Sequence, residues 1–392
     1  MEFNPSPEPT VGVEWELQLV DTKTLDLYNG ILPLMEFFPE TEHVKPEYIQ
    51  SCVELTSCVA KTSDEAVRHI SNTLARIKQR CRELEMDVCG AGTHAVCREL
   101  ALITPTPRYL RLKQDAGHLA HRQITFSTHV HTGMHSGDEA IRAMMHLTPV
   151  LPAFIALSAN SPFWRGYKTG HAAYRHRILA ASPYYGLPVE FQNWTEFEKF
   201  FRAAQKSGMI RRLKDIHWDI RPNPVFGTIE IRTMDAAGDL QTLRALTAFA
   251  RVMSVCMARA SPGEVRRVIP LDLPRWVVKE NCYRASHHGL NGMFIYDEQG
   301  NYRPLRGLIE ELINFCQTTA VEIDEAKNLE RCRKILVDGP GYLHQLDVYA
   351  ISRSARAVVE SLRDQLHKSQ SMEKEGVNPD YLLLQEFDQQ VE

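Results

Sequence analysis

Val11-Gly12-Val13-Glu14-Trp15-Glu16-Leu17-Gln18-Leu19-Val20 reads as a β-strand in which glutamates alternate with large apolar residues. Successive side chains on a strand point to opposite faces, so Glu14 and Glu16 share one face while Val13, Trp15, Leu17 and Leu19 share the other. The apolar side is suited to a core. Two carboxylates held about 4 Å apart repel by roughly 4 kcal/mol at an effective dielectric near 20. A partly buried pair must therefore share a proton or hold a cation, and this strand is read as half of a metal site.

The remaining chain has the bulk to supply the other half. Its 392 residues, 44% of them apolar, can bury a sizeable core in one large domain or two ordinary ones. A formal charge of -4, with Lys and Arg spread along the length, gives no basic stripe to neutralise a nucleic-acid backbone. Met1 to Pro9 is acidic and proline-rich, unlike a secretory signal, and is expected to be a short disordered leader over residues 1–10. The most apolar stretch, Ala143 to Phe163, is interrupted by His146, Pro149 and Pro152, which predicts a buried kinked helix and no membrane partner. Nine scattered cysteines without Cys-x-x-Cys spacing indicate neither a disulfide framework nor a thiolate zinc site. A cytoplasmic protein with reduced thiols is expected.

Strand patterns recur at 11–20, 50–58, 86–92, 124–132 and 225–234, separated by longer helical ones. Ser63 is read as the N-cap of a helix with Asp64 and Glu65 in its first turn and an apolar stripe through Val67, Ile70, Leu74, Ile77, Cys81 and Leu84. Capping boxes at Ser136-x-x-Glu139 and Thr195-x-x-Glu198 start two more. Helical patterns occupy 240–260 and 305–366. With no repeat and no linker, a single catalytic domain over 11–365 is expected, followed by a polar, mobile tail over 366–392 with a Tyr381-Leu382-Leu383-Leu384 contact patch.

Three further strands carry polar groups at interior positions. Glu54 lies mid-strand in 50–58, in phase with Cys52 and Thr56, while Glu47, seven residues earlier, is out of phase and must arrive from a turn or bulge after Pro46. In 124–132 the residues Thr125, Ser127, His129 and His131 share a face, and in 227–234 Glu230 and Arg232 do the same. Each motif alone is more often a solvated sheet face or a packed pair. Together they need four coincidences on that reading and one shared cleft on the other. An oxygen-rich set with one or two histidines and no cysteine suits Mg²⁺ or Mn²⁺ better than Zn²⁺. Such ions usually hold phosphate, and an arginine two residues beyond a ligand glutamate can spread positive charge over a transferring phosphoryl group. ATP-dependent chemistry is implied.

Gly12-Val13-Glu14-Trp15-Glu16, Glu54-Leu55-Thr56, Gly92-Thr93-His94, His129-Val130-His131 and Trp218-Asp219-Ile220-Arg221-Pro222, leading to Gly227-Thr228-Ile229-Glu230-Ile231-Arg232, occur in an order that resembles the type 2 glutamate-cysteine ligases, specifically the YbdK-like carboxylate-amine ligases. The resemblance spans residues 10 to 365. It implies an α+β, glutamine-synthetase-like fold, a curved antiparallel sheet forming a funnel with helices packed outside. It also implies an enzyme that uses ATP with two or three Mg²⁺ or Mn²⁺ ions to phosphorylate a carboxylate, usually the γ-carboxylate of glutamate, and lets an amine attack the acyl phosphate. Carried over by position, Glu14, Glu16, Glu47, Glu54, His129 and Glu230 resemble metal ligands, and Arg232 the arginine that steadies the γ-phosphoryl group. Arg221 and Arg175 fall in matching segments as contacts for phosphate or the acid substrate, with His131 in a supporting position. Relatives suggest a homodimer.

One departure concerns Asn281-x-x-Arg284-Ala285-Ser286-His287-His288, where relatives commonly place an arginine at the position of His287. The amine acceptor can differ accordingly, and His287 and His288 are read first as a surface pair. Weak glutamate-cysteine ligase activity is compatible with the resemblance. Two rival enzymes remain open from residues alone: a phosphotransferase of the same fold, guanidino-kinase-like, and a nucleotide-independent metallohydrolase on His129 and His131. A non-catalytic nucleotide sensor is a third alternative.

Overall fold

The alternation of residues 11–20 produces the central strand of the molecule. In the computed structural model, which describes residues 1–39, 43–182 and 184–375, β1 (Val11–Asp21) belongs to a seven-stranded sheet with β2 (Val44–Pro46), β3 (Cys52–Thr56), β4 (Met86–Cys89), β5 (Ser127–Gly133), β6 (Ile220–Asn223) and β7 (Thr228–Asp235). The order is β6-β7-β5-β1-β3-β2, with β4 also on β1, and every pair in it is antiparallel. Gln18 pairs with both Cys52 and Cys89, so β4 continues the side of β1 that β5 occupies. The fold is α+β, as expected.

Two of these strands escaped the sequence pattern. Val44–Pro46 is three residues long, and Ile220–Asn223 contains Pro222. Both lie at edges of the sheet, where a short strand and a proline are tolerated because one row of backbone groups needs no partner.

Trp15, Leu17 and Leu19 are fully buried on the apolar face, and the indole Nε1 of Trp15 donates to Ala237 O at 3.1 Å. Helices Ser63–Glu83, Gly137–Leu147, Leu151–Ser158 and Leu240–Arg259 cover the sheet. One hydrophobic cluster runs from Val11 to Leu366. Gly137–Ser158 is long and apolar enough to cross a membrane, yet its most apolar part is mostly buried inside the protein. It breaks into two helices around Thr148–Val150, which contains Pro149, so it is the kinked core segment expected from its prolines.

Local expectations need four corrections. Thr62, and not Ser63, caps the helix Ser63–Glu83, accepting from Glu65 N at 3.2 Å. Ser63 is claimed by tertiary structure, since its N and Oγ donate to the buried Glu325 at 2.6 and 2.5 Å. The helix Trp194–Lys206 is capped by Asn193 with Glu196, two residues before the expected Thr195 and Glu198, because Asn193 is itself a strong cap. Residues 1–10 are not a loose leader: Asn4 N donates to Pro224 O at 2.9 Å, Ser6 N to Met134 O at 2.9 Å, and Phe3 packs edge-on to Trp194. The last described helix, Ala355–Glu375, runs past the expected tail boundary at 366, because Leu366, Ser369 and Gln370 are buried and Gln370 bonds Lys78 and the carbonyl of Ser71. The Tyr381–Leu384 patch lies outside the described residues.

β7 carries a bulge. Ile231 pairs with Val130 and Met234 with Thr128, so Arg232 and Thr233 together face His129. The extra residue reverses the alternation and brings Asp235, opposite Ser127, onto the face of Glu230 and Arg232. Gly92 makes room for it, because a Cβ there would lie 2.5 Å from Asp235 Cγ. Gly92→Ala is expected to lower stability by about 1–3 kcal/mol through overpacking, measured as a shift in the urea midpoint; an unchanged midpoint would show that this backbone does not confine Asp235.

Candidate active site

Strand register assembles the polar groups in rows. Lys45, Glu54 and Glu16 are cross-strand neighbours, as are Thr56, Glu14 and His129, and Gly12, His131, Glu230 and Arg221. Every candidate from β1, β3, β5 and β7 thus reaches one face. Two trios of possible cation ligands result, each with its ligand atoms within 4.8 Å of one another: Glu16, Glu47 and Glu54, and Glu14, His131 and Glu230.

The first trio is acidic and poorly compensated. Glu16 accepts from Ser127 N at 2.7 Å and Ser127 Oγ at 2.8 Å, and Glu54 faces Lys45 Nζ at 3.5 Å. Glu47 enters off the ladder just after β2, as its odd spacing required. Its carboxylate accepts from Tyr48 N at 2.9 Å and from the Tyr109 hydroxyl at 3.3 Å. Burial, and then the Glu47 carboxylate, push Glu16 up to about 7. Burial, followed by the charges of Glu14 and Glu47, holds Glu54 well above the carboxylate range. Three such carboxylates fit a divalent cation, because it would remove both the repulsion and the cost of burying charge.

The second trio carries its own counter-charges. Arg221 donates from Nε to Glu230 Oε2 at 2.7 Å and from Nη2 to Oε1 at 3.3 Å, while Arg232 pairs with Oε1 as well. Burial works against ionisation of Glu230, yet Arg221 and Arg232 outweigh it and keep the carboxyl below its ordinary range. Glu14 behaves alike: burial opposes its charge, and His129 and His131 lower it well below the usual value. His129 Nδ1 donates to Glu14 Oε2 at 3.1 Å. Burial and the Arg232 guanidinium hold His129 down to about 4, so the ring is neutral and its Nε2 lone pair is left for a ligand. His131 uses Nδ1 toward Thr228 Oγ1 at 3.0 Å. Its buried Nε2 makes no hydrogen bond among the described residues and faces Glu14 Oε1 at 3.5 Å and Glu230 Oε1 at 3.8 Å. A cation here fits the donor atoms while competing with Arg232 for Glu230.

Of the expected residues, Glu14, Glu16, Glu47, Glu54, Glu230, His129, His131, Arg221 and Arg232 meet around this face, and His131, not His129, completes the second trio. Arg175 and Arg221, expected as phosphate or acid contacts, both bond the protein's own groups. The Arg221 guanidinium is spent on Glu230 and on Ile216 O at 2.5 Å. The two terminal nitrogens of Arg175 donate to the carbonyls of Arg232 and Thr233. His287 and His288 end the helix Arg275–His288 and cluster with His171 and Tyr283, with His288 exposed. Sequence reasoning missed Asp235, because strict alternation assigns it to the apolar face. It also missed the stacked Tyr185 and His217, with centroids 4.8 Å apart, which carry no periodic signal.

The Glu16 carboxyl keeps its proton in the folded protein up to about 7, against an ordinary value of 4.5. Between those limits the folded state binds more protons, so this group's contribution to stability falls as pH rises. In EDTA, Glu16→Gln is therefore expected to exceed wild type in stability by about 1–3 kcal/mol at pH 7.5, the difference shrinking toward pH 5. Millimolar Mg²⁺ should reverse the order by binding folded wild type alone. Urea melts at both pH values check this; a wild type more stable than the variant in EDTA at pH 7.5 contradicts it.

The glutamate–cysteine ligase family 2 pattern matches residues 10–371. A protein of Trichormus variabilis, provisionally named glutamate–cysteine ligase 2, is 41% identical over 366 residues, covering 93% of this chain and 95% of its own. A Mycobacterium tuberculosis protein of the same provisional name is 34% identical over 365 residues, with 92% and 96% covered. Among solved structures, glutamate–cysteine ligase from Francisella tularensis in complex with AMP has a TM-score of 0.64 at 12% identity, covering 96% of this chain and 95% of that one. A bifunctional glutathione synthetase from Pasteurella multocida has a TM-score of 0.66 at 13% identity, covering 93% of this chain and 52% of that one. At those identities the likeness is one of fold. With the family pattern spanning nearly all the described residues, the chain belongs to glutamate–cysteine ligase family 2 and is a ligase.

Proposed function

We propose that this ligase joins a small carboxylic acid, glutamate in the first instance, to an amine at the expense of ATP, through an acyl phosphate. A carboxylate oxygen of the acid attacks the γ-phosphorus and ADP leaves; the amine nitrogen then attacks the acyl carbon, and phosphate departs as the amide forms. No protein nucleophile is required. The single observation that carries the proposal is the pair of cation-ligand trios on one sheet face, with Arg232 beside them and 15% of its side chain still open to solvent.

Two or three Mg²⁺ or Mn²⁺ ions held by Glu14, Glu16, Glu47, Glu54, Glu230 and a histidine would neutralise the nucleotide phosphates and polarise the transferring group. His129 is the neutral donor of choice, and His131 offers a buried Nε2. Arg232, partly open to solvent beside Glu230, would pass its guanidinium to a γ-phosphoryl oxygen and supply charge that strengthens as the transition state forms. Arg221 keeps Glu230 ionised and oriented throughout. The buried floor excludes water, which protects an acyl phosphate from hydrolysis.

Acid and amine pairs incubated with ATP and Mg²⁺ should release phosphate, and mass analysis should find the condensation product. A stable phosphorylated product would instead make the protein a phosphotransferase, and turnover without nucleotide a hydrolase. Glu54→Gln is expected to abolish turnover without loss of folding, because removing one acid relieves repulsion in the metal-free protein. Arg232→Lys should lower kcat by about 10²–10³ through loss of the guanidinium fork. Near-normal ADP release by Glu54→Gln would end the metal-cluster account.

A further inference from the structure

A bulged strand leaves backbone groups outside the regular ladder, and buried carbonyls without partners are costly. In β7 this falls on Arg232 and Thr233, the two residues that share His129 as neighbour. Arg175 answers it from another part of the chain. Its Nη1 donates to Thr233 O at 3.2 Å and its Nη2 to Arg232 O at 3.2 Å. A planar guanidinium can reach two adjacent carbonyls at once, and a lysine ammonium offers no such fork.

Arg175 is in turn fixed. Its backbone N donates to Ser161 Oγ at 3.0 Å, Ser161 Oγ donates to Asp235 Oδ2 at 2.7 Å, and Asn160 N donates to the same oxygen at 2.8 Å. Asp235 Oδ1, buried and without a hydrogen-bond partner among the described residues, lies 4.0 Å from Arg175 Nη1 and balances its charge. With 3% of its side chain exposed and both terminal nitrogens bonded to the bulge, Arg175 keeps only its buried Nε without a hydrogen-bond partner among the described residues.

We propose that Arg175 is a positioning residue: it clips the bulge at Arg232 and Thr233 and so sets the aim of the Arg232 guanidinium, with Asp235 and Ser161 holding the clip. The proposal rests on the reading of Arg232 as the group that meets the transferring phosphoryl. It separates Arg175 from residues that touch substrate. Its consequence is that Arg175 matters to catalysis only while Arg232 is present.

Two measurements on the full-length protein test it. Hydrogen exchange read by mass spectrometry should be about tenfold faster or more in peptides covering 228–236 of Arg175→Met, with peptides of β3 unchanged. Arg175→Lys, which keeps the charge and can reach one carbonyl, should fall between, and it carries the test should Arg175→Met fail to fold. Unchanged exchange at 228–236 overturns the clip whatever the assays give. In ATP-dependent phosphate release, Arg175→Met should lower kcat about tenfold or more while KM for ATP moves less than about threefold, and should cost nothing further in an Arg232→Met background. Additive losses overturn the positioning role. If Arg232→Met alone keeps the wild-type rate, the assignment of Arg232 to the phosphoryl group fails, and with it the catalytic half of the proposal; the exchange result still judges the clip by itself.

Discussion

Compensating negative charge on one face of a buried sheet is the constraint on which the rest of this molecule depends. Glu14, Glu16, Glu54 and Glu230 come from three different strands, and antiparallel register leaves them no freedom to separate. The protein meets the cost in two ways. Around Glu230 and Glu14 it supplies arginines and imidazoles, and both carboxyls are held in the charged form. Around Glu16, Glu47 and Glu54 it supplies Lys45 beside Glu54, the more distant charge of Arg175 and hydrogen-bond donors, and the charge deficit persists.

That asymmetry gives the two halves of the site different characters. The under-compensated half has the donor set that would suit a hard cation, while the over-compensated half holds cationic groups paired with the protein's own carboxylates. Glu230 is the junction. Its carboxylate is shared by Arg221, which is otherwise tied to Ile216 O, and by Arg232, which is more exposed. Of the two guanidiniums, Arg232 is the one with somewhere to go.

The bulge in β7 ties the chemistry to the backbone. By adding one residue opposite His129 it keeps Glu230 and Arg232 in phase with each other and then switches Asp235 onto the same face. Asp235 reaches back to Asn160 and Ser161, and through Arg175 to the carbonyls of the bulge itself. The close approach of Gly92 to Asp235 explains why this position of the Gly92-Thr93-His94 segment carries no side chain.

Period-two alternation was enough to read Glu14, Glu16, Glu54, His129, His131, Glu230 and Arg232 as residues of one polar face, because within a regular strand the side-chain direction follows from the count alone. The odd offset of Glu47 likewise announced an entry off the ladder. Local pattern could not reveal the strands at 44–46 and 220–223, which are too short or contain proline, nor the cap at Thr62, where a distant Glu325 decides between two adjacent hydroxyl residues. It could not reveal that Arg175 and Arg221 serve the protein's own carbonyls and carboxylate, or that Asp235 joins the site. What the chain determined by itself was which side chains lie in phase, since that is fixed by the geometry of consecutive residues. Which strands became neighbours, where the alternation slipped by one, and how each buried charge found its partner were decided only by tertiary structure, because electrostatic compensation acts between groups far apart in sequence and close in space.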